Sequence, residues 1–221
     1  MIDPRQIKSV IFDFDGTLSS GRYFSPLGPE ALDAIGQLVF GGKSAQWADP
    51  WMRGDISCRD IASYLSHQLP ETEDRILSAL HDGCSNMPIN AAVLDFASLS
   101  RQSGRKTALV TANMDVFTEI VVPAHGLDAV FDLVLNTADH GTLDKSTLWR
   151  KALVSFGPEH SFSSALLIDD SPRMTALFES LGGVAYRYQG NEGFQDWMET
   201  SGWQTEMQNH GVHGRLASSP P

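Results

Sequence analysis

The sequence predicts an α/β protein: a parallel sheet flanked by helices, with an all-helical segment inserted after the first strand. Three observations carry this. Short apolar runs such as Val10-Ile11-Phe12 and Ala165-Leu166-Leu167-Ile168 have no polar interruption, the pattern of strands buried on both faces. From Asn90 onward these runs alternate with stretches of helical period, at lengths suited to right-handed crossovers. Between the first strand and about Met87, by contrast, no segment reads as a strand.

Taken in order, Val10 to Phe12 forms the first strand and runs directly into Asp13-Phe14-Asp15-Gly16-Thr17-Leu18. Residues 19–24 are polar and glycine-bearing, a loop placed to lie over the strand's end. Pro29 opens a helix with Ala31, Leu32, Ile35, Leu38 and Val39 on one face, ended by Gly41-Gly42. The stretch holding Trp47 and Trp51 reads as irregular up to Gly54. Ser57 is then an N-cap for a helix over 58–69, and a further helix runs from Thr72 to Gly83. A helix from Asn90 stops at Gly104, and 106–111 is a buried strand. The remainder alternates: helix 115–122 up to Pro123, strand 131–136, helix 145–156, strand 165–168, helix from Pro172 to Gly182-Gly183, strand 184–188 and helix 191–200. The tail from Gln204 to Pro221 lacks periodicity and is expected to be loosely ordered. There are no internal repeats.

With 221 residues, 42% of them hydrophobic, the chain has enough apolar material for one good core or a core with a small appendage. Its 16 basic and 27 acidic residues give a formal charge of -11, which argues against a nucleic-acid backbone as partner. Cys58 and Cys84 have no zinc-type spacing and suggest no disulfide framework. The seven histidines form no metal-spaced set. The early first strand leaves no room for a signal peptide, and no stretch approaches the ~20 apolar residues needed to span a bilayer. A cytoplasmic protein with no membrane partner is expected.

Several positions bear chemistry. Asp13 and Asp15 stand side by side where a buried strand ends, a costly pairing unless a cation or a function compensates. Thr111 ends the second buried strand, where a hydroxyl is either a cap or a ligand-binding group. Lys145 opens a helix, where the helix dipole disfavours a cation. Asp169-Asp170, ahead of Ser171-Pro172, is either an ordinary helix start or half of a metal site.

Together these stretches, from about residue 8 to 190, resemble the four signatures of the haloacid dehalogenase-like superfamily, whose phosphatases carry Asp-x-Asp-Gly-Thr. The resemblance implies a Rossmann-like core over 1–19 and 88–203, a helical cap over 20–87, and a flexible tail over 204–221. It implies Asp13 as nucleophile, forming an aspartyl-phosphate, and Asp15 as acid and then base. Thr111 would hydrogen-bond the phosphoryl group, with Thr17, Ala112 and Asn113 beside it. Lys145 would stabilise its charge, although the family commonly follows this Lys with Pro and here Ser146-Thr147 follows; Lys151 is the reserve. Mg²⁺ would be held by Asp13, the backbone carbonyl of Asp15, Asp170, and Asp169 directly or through water. The segment from Trp51 to Ser57 is similar to the cap of small sugar-phosphate phosphatases and of the phosphatase domain of soluble epoxide hydrolases. There Trp47, Trp51 and Arg53 either line the substrate pocket or fasten the cap helices together.

The expectation is therefore a Mg²⁺-dependent phosphatase acting on a small phosphorylated metabolite as a monomer or homodimer. A phosphomutase uses the same residues, and a non-catalytic binding protein on this fold would be expected to have lost some of them. Dehalogenase members lack an acid at the position of Asp15, because halide leaves without a proton.

Overall fold

The computed structural model describes residues 3–41 and 45–209. Its centre is a sheet of five parallel strands, β1 (Ser9–Phe12), β2 (Lys106–Thr111), β3 (Leu133–Asn136), β4 (Ala165–Asp169) and β5 (Val184–Arg187), in the order β3-β2-β1-β4-β5. β1 and β4 are buried throughout, as their uninterrupted apolar runs require. The chain builds outward from β1 to β3 and then returns to lay β4 on the other side of β1. The carboxyl ends of β1 and β4 thus flank the switch point where open α/β sheets bind ligands.

Ten of the helices fall in two groups. The insertion after β1 contains α1 (Pro29–Ile35), α2 (Ala45–Arg53), α3 (Cys58–Ser66) and α4 (Glu73–Ser85). The second group comprises the crossover helices α5 (Ala91–Gln102), the short α6 (Val122–Ala124) and α7 (Leu127–Val130), α8 (Lys145–Phe156) and α9 (Pro172–Ser180), and also α10 (Asn191–Thr200), which follows β5. An eleventh, α11 (Trp203–Asn209), follows. On one face of the sheet Ile11, Val110 and Leu167 pack with Leu148 and Trp149 of α8 and Phe178 of α9. On the other, Val10, Phe12 and Ile168 join Phe96 of α5, Phe194 of α10, Trp203 and the apolar side chains of the insertion.

The insertion enters and leaves through one paired segment. Asn90 N–H donates to Leu18 O at 2.8 Å, Ser19 Oγ to Pro88 O at 2.8 Å, and Ser19 bridges to Ile89. Farther out, Asp115 accepts from Trp51 Nε1 at 2.7 Å and from Cys58 N–H at 2.8 Å, and Thr137 Oγ1 donates to Met52 O at 2.7 Å.

Three elements differ from the sequence expectation. The stretch around Trp47 and Trp51 is helical, with Pro50 inside α2; Gly54, at φ 79°, ends it where a Cβ would strike Ala138 O. Residues 115–124 do form helix, but over Phe117–Val121 it widens to a π-type turn, just ahead of Pro123, which lacks the N–H for a regular bond. The aperiodic tail does not begin at residue 204, because α11 continues to Asn209 and its Glu206 lies 3.3 Å from the Arg105 guanidinium. Gly42 and the tail beyond residue 209 lie outside the described residues. No described helix is long and apolar enough to cross a membrane, and Cys58 and Cys84 are free thiols.

Candidate active site

The strand register brings the acids together. Phe12 pairs with Ile168, and Asp13 N–H donates to Ile168 O at 2.9 Å, so Asp13 and Asp169 leave adjacent strands abreast. Lys145 reaches between them from the first position of α8, its Nζ 2.9 Å from Asp13 Oδ1 and 2.9 Å from Asp169 Oδ2. A side chain at a helix start leans back past the N-terminus, which lets this Lys enter the crevice. Asp144 caps the helix by accepting from Ser146 N–H at 2.9 Å, supplying the negative charge that the helix start prefers. Burial alone would lower the Lys145 pKa, but the carboxylates of Asp13 and Asp169 outweigh it and the ammonium is held more firmly than usual.

Asp170 completes an acidic floor: Asp13, Asp169 and Asp170 each present a carboxylate oxygen within 4.8 Å of the others. Burial raises the Asp169 pKa, with Lys145 opposing and Asp13 reinforcing. Asp170 is likewise raised, by burial and then by Asp13. Ser171 N–H donates to Asp169 Oδ1 at 2.8 Å and orients that carboxylate. Gly16, at φ 76°, lies so close to Asp170 that a Cβ there would strike its carboxylate. An oxygen-only donor set with crowded negative charge is what a hard divalent cation such as Mg²⁺ takes, so these residues fit that ion.

Asp15 stands outside this floor. Its carboxylate accepts from Asn113 Nδ2 at 2.7 Å and from the Tyr23 hydroxyl at 3.0 Å, and Asn113 Nδ2 also lies 2.5 Å from the Tyr23 oxygen. Burial, then repulsion from Asp13, pushes the Asp15 pKa up to about 7, with Asp170 adding to the rise and the Tyr23 hydrogen bond and Lys145 opposing it. Asn113 is itself fixed, its N–H donating to Asn136 Oδ1 and Thr137 Oγ1 at 3.1 Å each.

A cavity of about 290 Å³ opens over these groups. Asp13, Asp15, Thr111, Ala112 and Lys145 line it, and Leu143, Arg173 and Met174 form the rest of its wall. Thr111 arrives at the end of β2, as its place after a buried strand predicts. Asn113 is one step back, holding Asp15 instead of lining the cavity.

Four other candidate substrate contacts are not in the wall. The Thr17 hydroxyl is buried with no hydrogen-bond partner among the described residues, because the chain after Asp15 curls back to bond Phe14 O and turns residue 17 inward. Trp51 is fully buried and gives its indole N–H to Asp115, so it fastens the insertion to the core instead of lining a pocket. Arg53 is exposed and paired with Asp55. Trp47 stacks on Tyr64 at 4.2 Å, also a fastening contact. Lys151 is exposed, 3.2 Å from His140 Nδ1, and takes no part in the cavity.

Four residues at the site escaped the sequence reading: Tyr23, Leu143, Arg173 and Met174. Tyr23 belongs to the loop expected over the strand end, but nothing local marks which side chain turns in. Arg173 carried the signal that singled out Lys145, a cation in the first turn of a helix.

The site can be set beside known proteins. The haloacid dehalogenase-like hydrolase family model matches residues 10–167. No curated protein sequence matches the chain. A HAD family enzyme from Bacteroides thetaiotaomicron, solved in complex with magnesium and inorganic phosphate, superposes with a TM-score of 0.61 at 15% identity, covering 83% of this chain and 94% of that one. A protein from Porphyromonas gingivalis described as a predicted HAD-like family hydrolase gives 0.64 at 19% identity, over 90% and 98%. L-2-haloacid dehalogenase from Xanthobacter autotrophicus, with chloropropionic acid covalently bound, gives 0.59 at 14% identity, over 97% and 92%. At these identities the structures share the fold with this chain. The family match covers well over half of the sequence and includes the strands that deliver Asp13 and Thr111 and the helix that delivers Lys145: the chain belongs to the haloacid dehalogenase-like hydrolases.

Proposed function

We propose that this hydrolase is a Mg²⁺-dependent phosphatase that cleaves a small phosphomonoester through an aspartyl-phosphate on Asp13. The observation that carries this reading is Asp15, a second carboxyl beside the nucleophile with its pKa raised to about 7, suited to giving and then taking a proton near neutrality. Loss of a halide would need no such group.

In the first step a carboxylate oxygen of Asp13 bonds to phosphorus and the ester oxygen leaves, taking the proton of Asp15. In the second, water attacks the phosphorus of the acyl-phosphate, Asp15 accepts its proton, and the carboxylate of Asp13 is released with inorganic phosphate. The Asp13 carboxylate approaching a phosphate anion at ~4 Å would meet repulsion of about 4 kcal/mol per unit-charge pair at an effective dielectric of ~20. Lys145, 2.9 Å from Asp13, offsets part of it, and the hydroxyl of Thr111, a residue of the cavity wall, would hold a phosphoryl oxygen. Bound to Asp13, Asp169 and Asp170, with the Asp15 carbonyl, Mg²⁺ would supply the remaining neutralisation.

In this reading residues 20–87 are a cap and 1–19 with 88–203 the catalytic core, a division supported by the paired segment at Leu18-Ser19 and Ile89-Asn90. The substrate is a small phosphorylated metabolite, because a cavity of about 290 Å³ sits at the lower end of the ~300–1,000 Å³ usual for ligand sites. Two free cysteines fit a reducing, cytoplasmic setting.

Phosphate release from p-nitrophenyl phosphate and a panel of small phosphate esters, with Mg²⁺ or EDTA, tests the proposal. Release that needs Mg²⁺ and falls to background in Asp13→Asn is expected. Halide release from 2-haloacids without phosphate release would overturn it, and isomer formation in place of phosphate would reassign the site to a mutase.

A further inference from the structure

The chemistry above employs the acidic floor and Lys145 but leaves one wall of the cavity without a task. That wall is Leu143, Arg173 and Met174. Leu143 is 36% exposed, one of three exposed large hydrophobic residues among those described, and it sits directly before the Asp144 cap that aims Lys145. Met174 is partly buried, and Arg173 is exposed. Among the described residues no acid is paired with Arg173, even though Asp169 and Asp170 lie only a few positions earlier. A guanidinium in the first turn of α9 also works against the helix dipole. Among the described residues this cation therefore has no stabilising partner, which leaves Arg173 available in the cavity wall.

Lys145 cannot serve a second negative charge on a ligand, because it is buried between Asp13 and Asp169. In a chain of formal charge -11, any ligand anion beyond the phosphoryl group must find its own countercharge. Arg173 is that countercharge within the cavity wall, and a planar guanidinium matches a carboxylate or phosphate through two parallel hydrogen bonds. Leu143 and Met174 offer apolar surface beside it.

We propose that this wall selects the leaving group: the preferred substrate is a phosphomonoester of a short carbon chain that carries a second anionic group, which Arg173 binds while the carbons lie against Leu143 and Met174. The inference rests on the phosphatase reading and narrows its substrate class. Arg173 is then a specificity residue supplied by the core, outside the helical insertion.

The test compares three phosphate esters of the same short carbon chain, ending in a carboxylate, a second phosphate or an uncharged hydroxyl, with p-nitrophenyl phosphate as a general substrate. In the wild-type enzyme, kcat/KM for at least one anionic ester should exceed that for the hydroxyl ester by about tenfold or more, the scale of a charge-assisted contact. Which anionic ester leads separates a carboxylate from a second phosphate. In Arg173→Gln the ratio should collapse toward one, chiefly through KM, and Arg173→Lys should restore part of it. A wild-type ratio near one, or a ratio that survives in Arg173→Gln, overturns the assignment while the phosphatase stands. Absence of phosphate release from all four compounds overturns the phosphatase reading and this inference with it.

Discussion

Asp13 and Asp15 are two residues apart on one strand end, and their neighbours give them different roles. Asp13 has an ammonium at 2.9 Å; Asp15 has only neutral donors, Asn113 and Tyr23, and lies next to other acids. That difference is measurable without any substrate. The pKa of Asp15 in the folded chain, raised to about 7 by burial and then by Asp13, exceeds the ~3.9 of an unfolded Asp. The folded state therefore binds the extra proton, and the stability it confers is complete below pH ~4 and lost as pH rises through about 7. In the presence of EDTA, Asp15→Asn should gain stability relative to wild type between pH 5 and 8, by up to about 4 kcal/mol at ~1.36 kcal/mol per unit. Thermal melts across that range check it, and a difference between the two proteins that does not change with pH would count against the raised pKa. At this scale the sequence disclosed what the backbone delivers in order, the acids and Lys145 at strand and helix ends. It did not disclose Tyr23, whose place beside Asp15 depends on a 90-residue separation from Asn113 being closed in space.

At the level of elements, two helices of the insertion, α2 and α3, share one carboxylate of the core. Asp115, just past β2, accepts from Trp51 of α2 and from the first N–H of α3, and also from Val116 N–H at 2.8 Å. Trp51→Phe keeps an aromatic ring in a fully buried position but removes the donor to a charged acceptor. The expected cost is about 2 kcal/mol, read as a lower urea midpoint; a loss under about 0.5 kcal/mol would mean that packing alone holds α2. The same residue shows where element reading failed. Strands β1, β2 and β4 were legible because burial on both faces leaves an uninterrupted apolar run. α8 and α10 were legible to their ends because Asp144, Gly157 and Gly190 punctuate them. In α2 the tryptophans and the internal Pro50 hide a helix whose stability comes from tertiary contacts such as Asp115.

Across the whole molecule, the site occupies the carboxyl edge of the sheet, while its support on one face comes from the end of the described chain. Trp203 is fully buried with its ring centroid 5.2 Å from that of Phe96, which in turn meets Phe12 of β1 at 6.0 Å. The Arg105 guanidinium lies 4.8 Å from the same indole, and its other contacts include Pro4 O at 3.0 Å and Ile7 O at 3.1 Å at the amino-terminal side of β1. One side chain from residue 203, the last position expected in the core, thus links the start of the chain, the central strand and α5 through long-range contacts that local composition does not display. The indole N–H has no hydrogen-bond partner among the described residues, so Trp203 contributes through its ring surface and the cation above it. Trp203→Ala should therefore cost about 3–5 kcal/mol, the scale of a large aromatic removed from a packed core. Trp203→Phe, which keeps a ring and discards an unpartnered donor, should cost much less, about 1 kcal/mol. Denaturant unfolding of the two variants decides the point. Equal large losses would show that the indole's shape or its N–H is required, and equal small losses would show that this end of the chain adds little to the fold.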